Sequence, residues 1–343
     1  MRTKLLAVGL IGVLASSLVC AEPAKAQAEK PWYKQPWAAA HVKACDRACL
    51  AGIADLYLQA LQSKDKSSLP LAEVVTVTEN TAHLDLGEGS LWRRPVELTP
   101  FKVVVADPTI GEVAVQTVVK LGGKPALLAL RLKVERGMIT EVEQLFDPNV
   151  APAAMELLTT PRATLVDDVP QAQRSSREFL AYAANAYFDA LTGEDGRIAP
   201  FADDCIRHEQ GYQTVNNKTP GRYAPSPAPP PTEGPFAKFS MMTCSQQIST
   251  GIFNFITRIW PRRLVIDEQK GLVAAFPMFV ESGVKRHVEP NAYANNEGAG
   301  MVLNMVTMET FGIRGDKIHD IEAFPFVTFQ YGQGDGWTPT SAR

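Results

Sequence analysis

Two stretches of the chain carry apolar residues at helical spacing. Leu50, Ile53, Ala54, Tyr57, Leu58 and Leu61 form one stripe, and Leu180, Ala183, Ala184, Tyr187, Phe188 and Leu191 form the other. The stripes stop at Ser63-Lys64-Asp65 and at Gly193-Glu194-Asp195-Gly196, where Gly and Asp favour a turn. A short apolar turn follows each, around Leu69-Pro70-Leu71 and Ala199-Pro200-Phe201. Strand-like runs come next, at residues 74–78, 102–106, 113–120, 126–134 and 139–145 after the first helix. After the second they lie at 204–209, 263–267, 272–281, 303–311 and 317–324. A helix followed by a meander of strands with Gly turns predicts an α+β domain built on an antiparallel sheet.

The two series are copies. At an offset of 130 residues, Leu50/Leu180, Ala54/Ala184, Tyr57/Tyr187, Leu61/Leu191, Asp65/Asp195, Pro70/Pro200 and Glu79/Glu209 are identical pairs. At an offset of 160, Asp107 meets Asp267, Gly111 meets Gly271, Val113 meets Val273 and Ala114 meets Ala274. Ile139-Thr140-Glu141-Val142-Glu143 is echoed by Ile318-His319-Asp320-Ile321-Glu322. Because the blocks keep their order, the pattern is a duplicated domain and not a short-period solenoid. The expected organisation is a first domain over 27–146, a proline-punctuated linker over 147–175 and a second domain over 176–343. Extra length in the second copy includes a proline-rich insertion near 218–235, read as an exposed extended loop.

Residues 1–26 break the pattern. A basic start (Arg2, Lys4) precedes an apolar run over 5–19 and the small residues of Val19-Cys20-Ala21 and Ala24-Lys25-Ala26. That order is a secretory signal peptide, cleaved after Ala26 or Ala21, and the run is too short to span a bilayer comfortably. Cys20 invites a lipoprotein reading, but Ser17 and Val19 fit that processing box poorly. Export to a periplasmic or extracellular space is expected, without stable membrane insertion. Cleavage after Ala26 takes the net charge of the 343-residue chain from −3 to −5, which argues against a nucleic-acid partner.

Export changes the meaning of the cysteines. Cys45, Cys49, Cys205 and Cys244 remain, an even number that suggests two disulfides in an oxidising compartment. Of the three connectivities, Cys45–Cys49 with Cys205–Cys244 is preferred. No metal is expected: CxxC is absent, and His208-Glu209-Gln210-Gly211-Tyr212 has Tyr where a zincin motif needs its second His. GxGxxG, GxxxxGK[ST] and GxSxG are also absent, which disfavours nucleotide chemistry and ordinary serine hydrolysis, and no cofactor is expected.

A helix, a short apolar turn, a strand ending in Thr78-Glu79-Asn80 or His208-Glu209-Gln210, and a β-meander resemble the NTF2-like (SnoaL-like) superfamily. Asp203-Asp204-Cys205, Arg207-His208-Glu209, Gln213-Thr214, Asn216-Asn217, Thr257-Arg258-Ile259, Arg262-Arg263, Asp267-Glu268 and Gly271-Leu272-Val273 resemble a family of exported proteins with two such domains. The resemblance implies two tandem cone-shaped NTF2-like domains, each with N-terminal helices packed in a curved antiparallel sheet around a conical pocket. Relatives include ketosteroid isomerase, scytalone dehydratase, limonene epoxide hydrolase, polyketide cyclases and many non-catalytic binders. The implied function is a cofactor-independent acid–base enzyme (lyase, dehydratase, isomerase or hydrolase) acting on a small apolar or aromatic molecule. The alternative is a non-catalytic binding or scaffolding protein, its copies packed as an internal pseudo-dimer, with homo-oligomers open to either reading.

Burial in such a pocket raises a carboxylate's pKa and makes it usable near neutral pH. Glu209 and His208, which end the first strand of the second copy, are the candidate catalytic pair; their first-copy counterparts are Glu79 and Thr78. The second copy holds more titratable chemistry there and is the expected site, with the first copy a structural partner. Strand parity puts Cys205, Arg207 and Glu209 on one face and His208 on the other, so both reach one pocket only through a bulge. Tyr212, Asn216 and Asn217 are candidate substrate-orienting groups, or equally turn formers, and Asn217-Lys218-Thr219 also fits a glycosylation sequon. Arg258 and Arg263 can bind a substrate oxygen or pair with nearby acids. Tyr57, Trp92, Tyr187, Phe253, Phe255 and Trp260 can line a cavity or simply fill the core.

Overall fold

The computed structural model describes residues 45–150, 152–219, 235–281, 302–330 and 332–338. The signal segment over 1–26 and most of the proline-rich stretch near 218–235 lie outside the described residues.

Helix α1 (Arg47–Ser63) starts where the Asp46 carboxylate accepts the Cys49 N–H at 2.9 Å and ends at Lys64, whose φ of 62° is left-handed. Its apolar stripe packs on a sheet of β1 (Leu71–Glu79), β2 (Ala82–His83), β3 (Val96–Asp107), β4 (Glu112–Leu121), β5 (Lys124–Glu135) and β6 (Met138–Asp147). A short helix α2 (Gly89–Arg93) lies between β2 and β3. The strand order is β2-β1-β6-β5-β4-β3. Neighbours are antiparallel except β1 and β6, which run parallel, so the α+β sheet is mixed at that one seam.

After α3 (Pro152–Leu157) the plan repeats. Helix α4 (Arg177–Gly193) is capped by Ser176, whose hydroxyl accepts the Phe179 N–H, and ends at Glu194 with φ 56°. The strands are β7 (Phe201–Glu209), β8 (Tyr212–Gln213), β9 (Ile256–Asp267), β10 (Leu272–Glu281), β11 (Leu303–Val306), β12 (Glu309–Arg314), β13 (Lys317–Ala323) and β14 (Val327–Gln330). Helices α5 (Pro235–Met241) and α6 (Cys244–Ile248) precede β9. β11 and β12 pair with successive stretches of β10, and β14 and β13 with β11 and β12 in turn. Each pair is one long strand interrupted, at Thr307-Met308 and at residues 324–326. Counted that way, the second sheet has the strand order of the first, including a parallel seam between β7 and β13. Gly111 (φ 69°) and Gly271 (φ 57°) turn equivalent hairpins, and a Cβ on either would sit 2.6 Å from a carbonyl oxygen, of Val134 and Ile313.

The strands are apolar on both faces because both faces are covered. In β4, Val113, Val115 and Val119 face α1, while Ala114 and Val118 face the second domain. In β10, Val273, Ala275 and Phe279 face α4, while Leu272, Ala274, Phe276 and Met278 face the first domain. The two sheets therefore share a third core, which includes Phe101, Val105, Val265 and Phe324. Burial of such aliphatic side chains contributes roughly 1.5–3 kcal/mol each.

Polar contacts repeat this relation in both directions. Arg177, the first residue of α4, grips Asp107 with two hydrogen bonds of 2.8 and 2.7 Å, and Asp107 also accepts the Ile266 N–H. Arg47, the first residue of α1, donates to Asp267 at 2.8 Å, and the same carboxylate accepts the Ala106 N–H. Arg47 and Arg177 stand at the 130-residue offset and Asp107 and Asp267 at the 160-residue one. The same patch on each repeat meets the other, the self-complementary pattern of a two-fold dimer built here within one chain.

The segments leaving each sheet cross to the other domain. Past β6, Arg162 binds Asp320 and Glu322 of the second sheet. Past β14, Trp337 donates its indole N–H to Thr78 of the first sheet at 3.1 Å, and its ring lies under the Arg131 guanidinium. Disulfides join Cys45 to Cys49 and Cys205 to Cys244, the second tying β7 to α6.

Candidate functional site

A cavity of about 260 Å³ opens between α4 and the inner face of the second sheet. Its apolar wall is Leu191, Phe253, Phe255, Ile256, Phe279, Met305, Ala323 and Phe326, and its polar wall is Tyr187, Glu209, Glu281 and Glu309. The helical stripe delivers Tyr187, the odd-numbered face of β7 delivers Glu209, and the first residue of β12 delivers Glu309.

The charges are arranged in depth. Arg207, fully buried two residues before Glu209, donates to its carboxylate at 2.7 Å and to the Thr214 hydroxyl at 3.1 Å. It also donates to Gln247, and its guanidinium lies over the Phe253 ring. Gln247 in turn donates to the carbonyls of Thr214 and Phe239, so α6 and the end of the insertion are organised around this arginine. Burial disfavours the guanidinium, but Glu209, Tyr187 and Glu309 outweigh it and hold the group charged.

Glu309 is the unusual member. It is 3% exposed, it lines the cavity together with Tyr187, and its Oε2 has no partner among the described residues. Burial, with Glu209 adding and Arg207 opposing, pushes it up to about 8, so it is mostly neutral at pH 7. Burial and then Glu309 also drive the Tyr187 hydroxyl well above its ordinary value.

The first domain shows the same place without the chemistry. Glu79, counterpart of Glu209, is spent on the N–H groups of Ser90 and Leu91 at 2.7 and 3.0 Å, at the start of α2. Tyr57, counterpart of Tyr187, donates to Gln144 and accepts from the Trp92 indole, whose ring packs edge-on against it at 5.9 Å. Val115 pairs with Leu130 where Ala275 pairs with Glu309, and Val77 stands where Arg207 does. Aliphatic and indole groups thus replace the buried carboxyl and the guanidinium.

The other residues singled out in the sequence go elsewhere. His208 faces away from the cavity, as parity requires; the register shift between β7 and β13 falls before Asp320/Ile206 and leaves residues 206–209 regular. It sits beside Glu322 under Arg162, where burial, helped by Arg162, pushes its imidazole down to about 2. In the same cluster burial pushes Glu322 up to about 7 against the pull of Arg162. Tyr212 is buried opposite Glu209 in the β7–β8 pair and does not line the cavity. Asn216 and Asn217 edge a different groove with Asp203, Asp204 and Lys218. Their side-chain amides donate to the carbonyls of Asp203, Cys205 and Gln213, which makes them turn formers. Asn217 is 2% exposed, a poor glycosylation acceptor. Arg258 is exposed on β9, and Arg263 reaches across to the first domain, where it grips Glu143 at 2.7 and 2.6 Å. Trp260 is exposed, whereas Tyr187, Phe253 and Phe255 are in the wall.

Glu309 was missed by sequence reading. Its signal was one acid between Met308 and Thr310-Phe311, on a strand whose first-copy counterpart is aliphatic; an insertion obscured that alignment.

Helix-on-sheet architecture in two copies, with a pocket between helix and sheet in the second, defines an α+β protein of two repeated domains. The chain belongs to the family described as a domain of unknown function, DUF8021, whose model matches residues 43–146 and 173–325. Among solved structures, the chain is similar to an NTF2-like protein of unknown function from Cytophaga hutchinsonii ATCC 33406. That match has 18% identity over 29% of this chain and 90% of the other, with a TM-score of 0.24. It is also similar to the de novo designed NTF2 fold protein NT-9, at 18% identity over 33% of this chain and 95% of that one, with a TM-score of 0.22. No curated protein matches the chain.

Proposed function

We propose that the second-domain cavity binds a small, largely apolar molecule and exchanges a proton with it through Glu309 and Glu209. The observation that carries this reading is the buried Glu309 carboxyl at the cavity wall, with an Oε2 that no group among the described residues satisfies. A buried polar group left unpaired costs about 1–3 kcal/mol, a penalty that a ligand group can remove. Glu309, mostly neutral at pH 7, is suited to give a proton, and Glu209, paired with Arg207 at 2.7 Å, to take one. The two carboxyls sit in different electrostatic surroundings, the condition that lets acid and base roles separate. The first domain acts as a structural partner, its equivalent place occupied by Trp92 and Leu130. The pseudo-dimer of the alternative scaffolding reading is compatible with this one, since the shared core does not use the cavity. Export to an oxidising space is part of the proposal, supported by the two disulfides and the basic-apolar-small order of residues 1–26.

The test is a panel of small aromatic compounds screened by ligand-observed NMR in D₂O. Phe279→Trp, which fills the cavity, should abolish binding, and Glu209→Gln should abolish deuterium uptake at the ligand's acidic C–H while leaving binding in place. Ligands that bind wild type and Phe279→Trp alike would sit elsewhere and sink the proposal.

A further inference from the structure

The face of β7 that carries Glu209 differs from its first-repeat counterpart at two positions nearby. Cys205 stands where Val75 does, and Arg207 where Val77 does. Both differences lead to α6. Cys205 is bonded to Cys244, the first residue of that helix, and Arg207 donates to Gln247, one turn further on. Gln247 completes the arrangement by donating to the carbonyls of Thr214 and Phe239 at 2.7 and 2.9 Å. The chain leaving α6 then sets the Phe253 ring 5.0 Å from the Arg207 guanidinium and brings Phe253, Phe255 and Ile256 into the cavity wall. Isolated helices shorter than about 12–15 residues are marginal in water, so a helix of 5 residues stays in place only through what it docks against. The capping box of Thr243 and Gln246 closes only its own first turn, and Ser249 accepts the Gly196 N–H at 2.9 Å. The covalent cross-link from α6 to the sheet is the disulfide. We propose that the Cys205–Cys244 bond regulates the second-domain cavity: formed, it docks α6 and the wall of Phe253, Phe255 and Ile256 over Arg207 and Glu209; reduced, it releases them.

The inference rests on the proposed function, since it concerns the regulation of that same cavity. The step is thiol–disulfide exchange. A disulfide oxidant RSSR takes two electrons from the two cysteine thiols, the Cys205–Cys244 bond forms and the S–S bond of RSSR breaks. Both thiol protons end on the two RSH molecules released. A dithiol runs the step backwards and closes to its own cyclic disulfide. Cys205 and Cys244 are fully buried, so the exchange passes through the undocked state of α6. The apparent dissociation constant of a ligand scales inversely with the fraction of molecules in the competent state. A reduced chain with α6 docked about a tenth of the time or less binds at least about tenfold more weakly. Cys45–Cys49, local to the start of α1, is the internal control.

The experiment titrates the full chain with indole by ligand-observed NMR, before and after dithiothreitol and again after re-oxidation with oxidised glutathione. Phe279→Trp marks the fraction of indole bound in the cavity. Reduction should weaken that binding at least tenfold and re-oxidation restore it. The Cys205→Ser/Cys244→Ser chain should stay weak in every condition, whereas the Cys45→Ser/Cys49→Ser chain should respond as wild type does. Urea unfolding of the reduced chain reports whether the rest of the fold persists. Cavity binding that is equal in oxidised and reduced chains overturns the inference and leaves the cavity reading standing. A bond that dithiothreitol leaves intact in the folded chain overturns it too, as does a reduced chain with no cooperative urea transition, which would show a bond holding the whole fold. If indole binds neither form, or binds Phe279→Trp as it binds wild type, the cavity reading falls and this inference with it.

Discussion

Removing the Glu143 carboxylate should loosen the contact between the two domains by an amount that can be worked out from its partners. Glu143 is buried on β6 of the first sheet and accepts from Arg131 Nε at 2.8 Å and from both terminal nitrogens of Arg263 at 2.7 and 2.6 Å. Arg263 belongs to β9 of the second domain, so the carboxylate is a bridge between repeats. Breaking a buried ion pair by removing one partner costs about 3–5 kcal/mol, chiefly because the surviving charge is stranded. Here the strandedness is partial: Arg131 keeps Glu141 at 2.9 Å and Glu112 at 3.4 Å, and Arg263 is a quarter exposed. The expectation for Glu143→Gln is therefore the low end, about 3 kcal/mol. Urea unfolding at pH 7, with the m-value checked for loss of cooperativity, measures it. Burial alone would raise the Glu143 carboxyl, but Arg263 and Arg131 overcome that and hold it below its ordinary value. The sign follows: its stabilisation is complete above the unfolded-state value of about 4.3 and is lost as pH falls through the lower folded value. Wild type and Glu143→Gln should thus converge in acid. A loss under about 1 kcal/mol at pH 7, or a gap that stays constant down to pH 3, would refute the reasoning.

Three further outcomes are expected. Glu309→Leu, which copies Leu130 of the first repeat, should raise stability by about 1–3 kcal/mol at pH 7 by removing a buried polar atom that has no partner among the described residues. It should also remove a decline in wild-type stability of up to about 1.4 kcal/mol per pH unit between roughly 4.3 and 8, where the unfolded carboxyl has ionised and the folded one has not; equal pH profiles by denaturant titration would contradict it. Losing the Cys205–Cys244 disulfide, which spans 39 residues, should cost roughly 4 kcal/mol, against roughly 2 for Cys45–Cys49 with a separation of 4. Urea midpoints of the two Cys→Ser pairs decide that ranking. His208→Leu should leave ligand binding in the cavity intact and reduce acid sensitivity below about pH 6.5, because an imidazole pushed down to about 2 by burial must otherwise be charged on unfolding; calorimetric affinities and acid-unfolding curves are the readouts.

Much of the architecture was legible along the chain. The stripes of Leu50–Leu61 and Leu180–Leu191 became α1 and α4, with ends at Lys64 and Glu194 where the turn signals stood. Predominantly apolar runs such as residues 113–119 and 126–132 also carried a signal that was left unused: strands buried on both faces do not alternate. The parallel seam between first and last strands was not legible, because strand direction depends on pairing between segments some sixty residues apart or more. In the candidate site, Glu209 was found through its identity with Glu79. His208 was singled out for its chemistry, and its location follows from a two-residue period that places it with Arg162 and Glu322.

Local pattern and internal comparison alone therefore determined the duplication, the helices, most strands and the face on which Glu209 lies. These follow from nearest-neighbour periodicity and from pairs of like residues at fixed offsets, which a linear chain records directly. Tertiary structure decided which polar groups are spent and which remain available. It spent Asn216, Asn217 and Arg263 on structural contacts, set Trp92 against Tyr57 in the first repeat, and set Glu309 beside Tyr187 and Glu209. The physical reason is that a carboxyl's desolvation and its partners come from segments far apart in sequence, and no local pattern encodes their sum.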